Sequence, residues 1–450
     1  MIREEVKKII EENKKDFEEI SDKVWEFAEN SFEEIKSSEL QADYLEKRGF
    51  RVERNIANME TGFIAEWGEG KPVIAVLGEN DALPGLSQEA GIAEQKPLVA
   101  GAPGHGCGHN LLGTCAMEAA CAVKEYMEKH GTKGTIRYYG TPAEEGGGGK
   151  VFMILDGRFK DVDCTLAWHP GTVWDVNKRA LGVILVYFKF EGKAAHAAGN
   201  PEMGRSALDA LELMNLGVQF LREHVRQGTY IHYSIINAGG SAANIVQPEA
   251  EALYMIRNPD LEYLNELYGR VVDIAKGAAL MTGTKCLEPR INSAYAPIIP
   301  NSVLDDIQFE NMKAILPLDY TEEELEFGKK FVDVGGTPNA EYPFETEAIM
   351  DQRVTCTDAC DVSWVTPMSH IGGCTLARGT VGHNWAVVAQ GKSDSAKRGM
   401  HATANVLANS AIDLMENPEL VEKAQAEFKE TMKDKQYKTI MENCTPSFRQ

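Results

Sequence analysis

Val73-Ile-Ala-Val-Leu77 and Ile136-Arg-Tyr-Tyr139 are two short segments rich in apolar residues, and an apolar helix candidate at residues 111–130 lies between them. Gly131 follows this helix at the position where glycine commonly ends a helix. A further strand candidate, Cys164-Thr-Leu-Ala-Trp168, comes next. Strands that alternate with helices are typical of a parallel sheet covered by helices. These segments therefore predict an α/β fold.

The pattern changes in the middle of the chain. Candidate elements follow there in the order strand, helix, strand, strand, helix, strand, at residues 181–190, 204–226, 230–237, 250–257, 261–281 and 284–293. That order is the split-βαβ, or ferredoxin-like, plan. The α/β pattern then resumes and ends in a helix at about residues 396–415. We therefore predict one discontinuous α/β domain, residues 1–178 and 298–450, with a ferredoxin-like βαββαβ domain inserted at 179–297.

The composition excludes several classes of function. The chain has 450 residues, and 46 Lys+Arg against 68 Asp+Glu give a net charge of −22. We expect no nucleic-acid partner, because phosphate binding needs clustered basic side chains. We also expect no membrane association, because no apolar run approaches the roughly 18 residues of a membrane span. Nine cysteines without a secretion signal indicate a reducing, cytoplasmic location, in which the thiols stay free.

The first 48 residues have the apolar spacing of an amphipathic helix. Further along, reactive side chains cluster near the predicted strand ends, where ligands bind in open α/β sheets. They are Cys107, His109, Glu144, Glu145 and His169. One thiol, two imidazoles and two carboxylates suit zinc or a similar ion better than calcium or magnesium, which prefer oxygen ligands. We also expect the helix dipole to lower the pKa of the Cys107 thiol.

Structural explanations remain open for single residues. A lone histidine such as His169 is more often hydrogen-bonded within the fold than bound to a metal. Cys356 and Cys360 have a spacing that zinc could use, but no second cysteine pair is placed to complete the site. Residues 146–150 resemble a phosphate-binding loop, yet Val151 stands where that loop needs Ser or Thr. Spacing alone does not decide between these roles.

Four motifs resemble those of the aminoacylase and carboxypeptidase-type metallopeptidase superfamily. They are Gly106-Cys-Gly-His-Asn110, Pro142-Ala-Glu-Glu-Gly-Gly-Gly-Gly-Lys150, Trp168-His-Pro170 and Lys193-Ala-Ala-His-Ala-Ala198. The resemblance covers nearly the whole chain and falls in the amidohydrolase branch, which includes p-aminobenzoyl-glutamate hydrolases, indole-acetyl-amino-acid hydrolases and related dipeptidases. It implies a zinc-peptidase-like mixed sheet with flanking helices, and it implies that the inserted domain is a lid that also forms dimers.

The same resemblance implies a centre of two divalent metal ions, Zn²⁺ or Mn²⁺. Cys107 would bridge the two ions, and Glu144 would be the general base. The further ligands would be His109, Glu145, His169 and a histidine from the C-terminal half, for which His383 in Gly382-His-Asn-Trp385 matches best and His370 is the rival.

Other residues would contact the substrate or support the ligands. From the inserted domain, the resemblance implies that His196, Asn244 and Arg257 contact the substrate, and that His196 reaches the partner subunit's active site in a homodimer. We expect Asp81, after the first strand, to orient a ligand imidazole. Asp358 and Asp361 are weaker candidates for that role.

Together these features predict a metal-dependent amidohydrolase that acts through metal-bound hydroxide, with Glu144 as general base. The expected substrate is an N-acyl or N-aroyl amino acid of the p-aminobenzoyl-glutamate type. One alternative is a dipeptidase acting on β-alanyl or related dipeptides. Another is a cysteine-nucleophile hydrolase that uses Cys107 and His109. A third is a non-catalytic partner subunit or ligand-binding protein, and a hetero-oligomer with a related subunit is an alternative to the homodimer.

Overall fold

The computed structural model of the chain describes residues 3–334, 342–350 and 354–446. Its contacts divide the chain into two compact units. Unit 1 contains Met1–Arg179 and Ile298–Tyr437, and unit 2 contains Ala180–Pro297 and Lys438–Thr445. None of the helices in this part of the chain combines the length and apolar character that a membrane span requires.

The helices and strands are numbered in chain order. The helices are α1 (Glu4–Phe27), α2 (Ile35–Lys47), α3 (His109–His130), α4 (Gly149–Leu155), α5 (Ala207–Leu221), α6 (Leu261–Thr282), α7 (Ser302–Ile315), α8 (Glu322–Val334), α9 (Ala359–Val362), α10 (Trp385–Gln390), α11 (Asp394–Glu416) and α12 (Pro418–Met432). The strands are β1 (Arg51–Arg54), β2 (Phe63–Glu69), β3 (Val73–Glu79), β4 (Gly134–Thr141), β5 (Cys164–Gly171), β6 (Trp174–Val176), β7 (Arg179–Ala180), β8 (Gly182–Glu191), β9 (Tyr230–Asn237), β10 (Glu249–Asn258), β11 (Lys285–Cys286), β12 (Arg290–Tyr295), β13 (Ala348–Met350), β14 (Val354–Thr355) and β15 (Met368–Cys374).

Unit 1 is built on an eight-stranded mixed sheet with the order β1-β2-β4-β3-β5-β15-β6-β13. Strand β3 runs parallel to β4 and β5, and β15 runs parallel to β5, whereas β2 is antiparallel to β4. Helix α3 packs against β3, α1 and α11. The mixed sheet with flanking helices confirms the predicted α/β architecture. Because β3, β4, β5 and β15 share one direction, their carboxyl ends lie at the same edge of the sheet.

Two local predictions were inaccurate. The single helix expected over the first 48 residues is two helices, because Ala28 adopts a left-handed conformation (φ 42°) that ends α1. Helix α3 begins at His109 rather than Leu111, after a left-handed Gly108 at its N-cap. Since a Cβ at Gly108 would also lie 3.1 Å from the Pro170 side chain, glycine is required there. The reactive segment is thus held at the very start of the helix.

Unit 2 contains a five-stranded antiparallel sheet and two long helices, α5 and α6. The strand order is β11-β8-β10-β9, and β12 also pairs with β8. The single strand expected at residues 284–293 is the pair β11 and β12. Strand β9 ends the order, and most of its side chains are exposed, including Tyr233, Ile235 and Ile236.

Candidate active site

Cys107 and His169 lie side by side at the edge of the sheet in unit 1. The Cys107 Sγ atom is 3.3 Å from the His169 Nε2 atom. His169 lies near the end of β5, and its Nδ1 atom is 2.7 Å from the carbonyl oxygen of Pro170. Since a carbonyl only accepts, Nδ1 carries the proton and the Nε2 lone pair faces the thiol. This is the tautomer that a metal ligand needs.

His109 is fully buried, and Asp81 fixes the orientation of its ring. The distance between His109 Nδ1 and Asp81 Oδ1 is 3.0 Å. Asp81 also accepts hydrogen bonds from the Ser31 hydroxyl (2.8 Å) and from the backbone N–H of Glu145 (2.9 Å). Burial opposes the ionisation of Asp81, but these hydrogen bonds outweigh it and lower its pKa to about 2. The His109 Nε2 atom, on the other side of the ring, has no hydrogen-bond partner within residues 3–334, 342–350 and 354–446.

A strained turn after β4 carries the two adjacent glutamates. Ala143 has a left-handed backbone (φ 59°), which is uncommon for a residue with a Cβ. Its N–H donates to Glu34 Oε1 (2.8 Å), and Glu34 Oε2 accepts from the Thr61 hydroxyl (2.9 Å). The buried Glu34 thereby stabilises the turn by accepting this backbone hydrogen bond. Glu144 and Glu145 follow Ala143 directly in this turn.

Both glutamates approach His109, and Glu145 also approaches His383. The Glu145 Oε1 atom lies 4.0 Å from His109 Nε2. Glu144 Oε2 is 3.9 Å from His109 Nε2, and Glu145 Oε2 is 3.5 Å from His383 Nε2. His383 follows β15, and its backbone N–H donates to the carbonyl oxygen of Gly106 (2.9 Å). That hydrogen bond brings the C-terminal segment beside Cys107.

Two groups of potential metal ligands share the Cys107 thiol. One consists of Cys107, His109 and His169, and the other of Cys107, Glu145 and His383. Within each group, one ligand atom from each residue lies within 4.8 Å of the others. The rival histidine, His370, belongs to no such group among the residues that the structure describes.

The electrostatics of the site fit a bound cation. The expected lowering of the Cys107 pKa is wrong: burial and the Glu145 carboxylate raise it well above its usual value. Burial and the carboxylates of Glu79 and Glu145 also raise the pKa of Glu144. A divalent ion would offset this negative charge and would deprotonate the thiol. Two buried atoms, Nε2 of His109 and Oε1 of Glu145, have no hydrogen-bond partner in the described part of the chain, so they are available as ligands.

Glu79 and Lys150 were not among the predicted site residues. Glu79 ends β3, and its carboxylate lies 2.7 Å from Lys150 Nζ and 3.3 Å from His109 Nε2. Lys150, the residue after the four glycines, is also 2.6 Å from Asp358. Asp358 thus binds a lysine rather than an imidazole, and Asp361 accepts from the Tyr437 hydroxyl (2.8 Å). Glu79 could have been recognised from the sequence as an acidic residue at the end of an apolar strand, two positions before Asp81.

The three predicted substrate residues of unit 2 are not all close together. His196 pairs with Ile245 in an isolated β-bridge, and the Ala197 N–H donates to the carbonyl of Asn244 (3.0 Å). The His196 Nδ1 atom accepts from two backbone N–H groups, so its Nε2 atom carries a proton that it can donate. Arg257 lies near the opposite end of β10, roughly 26 Å along the strand from Glu249.

The chain is similar to known peptidases and hydrolases in sequence and in fold. The sequence profile described as "Peptidase family M20/M25/M40" matches residues 75–449. The chain is 40% identical to a p-aminobenzoyl-glutamate hydrolase subunit of Escherichia coli, over 97% of each chain. It is 29% identical to mouse Xaa-Arg dipeptidase, over 84% of this chain and 80% of that protein. A dinuclear metal-binding peptidase of the M20 family from Bacillus subtilis has a TM-score of 0.59 at 17% identity, covering 90% of this chain and 99% of that one.

The chain therefore belongs to peptidase family M20/M25/M40. It is a hydrolytic enzyme with groups of residues suited to metal binding, as the motifs predicted. The alternative of a non-catalytic binding protein is not favoured.

Proposed function

We propose that the chain is a metal-dependent amidohydrolase that cleaves the amide bond of an N-acyl or N-aroyl amino acid, with p-aminobenzoyl-glutamate as the reference substrate. The observation that carries this proposal is the pair of ligand groups that share Cys107, directly beside Glu144. The 40% identity to a p-aminobenzoyl-glutamate hydrolase subunit supports the substrate class. Aromatic acyl groups and glutamate are therefore the first compounds to test.

The residues assigned to the metal centre are Cys107 as the shared ligand, with His109 and His169 on one ion and Glu145 and His383 on the other. When bound, two divalent ions would polarise the amide carbonyl and lower the pKa of a water molecule towards neutrality. Mixed nitrogen, oxygen and sulfur ligands accept Zn²⁺ and also Mn²⁺, so we propose either metal.

Glu144 is the proposed general base. It is buried beside the ligand groups, and its raised pKa suits a carboxylate that must hold a proton during turnover. It accepts the proton of the attacking water molecule and delivers it to the amide nitrogen as the C–N bond breaks. His109, held by Asp81, keeps a fixed orientation beside it.

We infer that unit 2 is a ferredoxin-like lid and dimerisation domain, and that residues 1–178 and 298–450 form the catalytic domain. The order of elements in unit 2 supports this assignment, and so does its sheet, in which the last strands, β11 and β12, pair with the first, β8. The terminal strand β9 exposes Tyr233, Ile235 and Ile236, and exposed apolar strands of this kind pair readily with another chain. A homodimer through β9 is our proposal, and a hetero-oligomer is the alternative because the Escherichia coli relative is named as one subunit.

The substrate-contacting roles of His196, Asn244 and Arg257 remain predictions. The Nε2 proton of His196 could stabilise the negatively charged oxygen that forms on the amide carbon. A forked Arg257 guanidinium could bind a substrate carboxylate. Arg257 lies at the other end of the sheet from His196, so we propose separate functions for the two residues. The cytoplasmic location also stays a prediction.

The decisive experiment is hydrolysis by the purified chain alone. The protein is treated with a chelator, supplied with Zn²⁺ or Mn²⁺, and offered p-aminobenzoyl-glutamate, other N-acyl amino acids, Xaa-Arg dipeptides and β-alanyl-lysine. We expect release of p-aminobenzoate that depends on added metal. Preferential cleavage of the dipeptides would replace the substrate proposal, and activity that a chelator leaves intact would overturn the metal-dependent mechanism. Such activity, with a trapped thioester, would instead support Cys107 as a nucleophile.

A further inference from the structure

We propose that Glu79 is a further ligand of the metal centre, on the ion held by His109, and that Lys150 and Asp358 hold its carboxylate in place. The inference rests on the metal-dependent function proposed above. It adds an acidic ligand that the sequence motifs did not indicate, and it gives a role to the buried lysine that follows the four glycines.

Two buried polar atoms face each other at the candidate metal site. Glu79 Oε2 and His109 Nε2 lie 3.3 Å apart, and neither has a hydrogen-bond partner among the residues that the structure describes. Zinc binds nitrogen and carboxylate oxygen at about 2.1 Å, so two ligands at a tetrahedral angle stand roughly 3.4 Å apart. The observed separation is the one expected for two ligands of one ion. Glu79, His109 and Glu144 also form a group of three potential ligands.

Buried charged groups hold the Glu79 carboxylate in place. Glu79 Oε1 accepts from Lys150 Nζ (2.7 Å), which leaves Oε2 directed at His109. Lys150 Nζ is also 2.6 Å from Asp358 Oδ1, and the Lys150 N–H donates to Asp358 Oδ2 (3.0 Å). These side chains are buried. Glu79 is therefore held in a single orientation, which is what a preorganised ligand requires.

The buried charges around Lys150 do not balance without a cation. Asp358 already neutralises Lys150, so Glu79 adds a negative charge to a buried region that also contains Glu144. A simple structural ion pair would need only one of the two acids. Buried charge without compensation is costly, and a divalent cation at His109 would provide the compensation. An extra anionic ligand would in turn strengthen the binding of that ion.

The test is metal binding by Glu79→Gln, which keeps the size of the side chain and can still accept from Lys150. Demetallated protein is titrated with Zn²⁺ by calorimetry, and the bound ions are counted by elemental analysis. We expect one of the two ions to bind at least about tenfold more weakly, and the other to be unaffected. With Co²⁺ in place of Zn²⁺, the visible absorption spectrum should change because the ligand set changes.

Asp358→Asn is the matched control, because it disturbs the same buried lysine without removing a group that faces His109. Because Asp358 holds Lys150, and Lys150 holds the Glu79 carboxylate, this variant should lower the unfolding temperature and weaken Zn²⁺ binding by less than Glu79→Gln. The Co²⁺ spectrum should stay close to that of the wild type, because the ligand set is unchanged. If Glu79→Gln does not fold, Glu79→Asp keeps the charge but withdraws the oxygen. A ligand is sensitive to that withdrawal, so weaker Zn²⁺ binding is again expected.

Wild-type affinity for both ions and an unchanged Co²⁺ spectrum in a folded Glu79 variant would overturn the inference. Glu79 would then be only an ion-pair partner of Lys150. That result differs from failure of the proposed function, in which the wild-type chain itself would bind no ions or would hydrolyse amides without them.

Discussion

Asp81 Oδ1 lies 3.0 Å from His109 Nδ1, and both side chains are completely buried. The second oxygen of Asp81 accepts from Ser31 and from the backbone N–H of Glu145. One carboxylate thus orients a candidate ligand from α3 and also positions the turn that carries the candidate ligand Glu145.

Replacing Asp81 with Asn should therefore weaken metal binding more than it weakens the fold. Supporting carboxylates of this kind are typically worth about 10–100-fold in metal affinity. Zinc titration of the demetallated variant would measure the loss. Ser31→Ala removes only a hydroxyl from the same carboxylate and should bind metal nearly normally. Equal zinc affinity in Asp81→Asn and the wild type would refute the orienting role.

Glu144→Gln should abolish turnover while retaining the metal. The amide keeps the size of the side chain but cannot accept a proton, so we expect kcat to fall by about 10²–10⁴-fold. Metal content measured by elemental analysis should stay at the wild-type level. Glu145→Gln is the informative comparison, because loss of a ligand should reduce the metal content as well as the rate. Normal turnover by Glu144→Gln would show that another group is the base.

The two candidate histidines of the C-terminal half can be separated by substitution. His383 approaches Glu145 and is half-exposed, whereas His370 is buried in β15. His383→Gln should lower both the metal content and the activity. His370→Gln should lower the unfolding temperature, and the folded fraction should keep its metal. Should His370→Gln alone lose the metal, the assignment of the two residues would have to be exchanged.

The predicted action of His196 across a dimer can be tested by complementation. Glu144→Gln and His196→Ala would each be inactive, but a mixed dimer would contain one site with both functional residues. Equal mixing after subunit exchange should restore about a quarter of the wild-type activity, because half of the dimers are mixed. Mixing that restores nothing, with dimers verified by light scattering, would place His196 in its own subunit's site or outside catalysis.

A buried ion pair away from the site should make stability depend on pH. His401 Nδ1 lies 2.8 Å from Glu118, and Nε2 lies 3.4 Å from Glu18. Burial favours the neutral ring, but the two carboxylates outweigh it and raise the pKa of His401 to about 9, from 6.5 in the unfolded chain. The stability that the protonated His401 provides is fully present below pH 6.5 and is lost as the pH rises to about 9.

This rise in the pKa of His401 corresponds to a stabilisation of the folded chain by up to about 3 kcal/mol. Urea denaturation between about pH 6 and 9.5 should show a steeper decline in stability for the wild type than for His401→Gln. The comparison between the two proteins cancels the titration of other groups. Parallel curves would contradict the raised pKa.

The strands and the helix that form this edge of the sheet could be predicted, because the sequence patterns that indicate them are local. Strand β3, helix α3 and strand β4 follow from apolar periodicity and from Gly131, and the rule for open α/β sheets places their ends together. The motifs then singled out Cys107, which lies between the two ligand groups. Each of these inferences uses only neighbours in sequence or a general rule of topology.

The remaining features depend on contacts between distant residues. Glu79 and Lys150 are 71 positions apart, and nothing in either segment alone shows that they form an ion pair. The pKa of Cys107 depends on its burial and on Glu145, which together outweigh the effect of the helix terminus. Such balances are decided by tertiary packing, so the sequence could not predict them.

The candidate ligands come from both stretches of unit 1, since Cys107 precedes the inserted segment and His383 follows it. During synthesis on the ribosome, the N-terminal stretch and the whole inserted segment, Ala180–Pro297, are made before residue 383 emerges. A growing chain therefore lacks the complete ligand set until most of its length has been translated. Assembly of the proposed metal centre is in this way deferred to the end of translation.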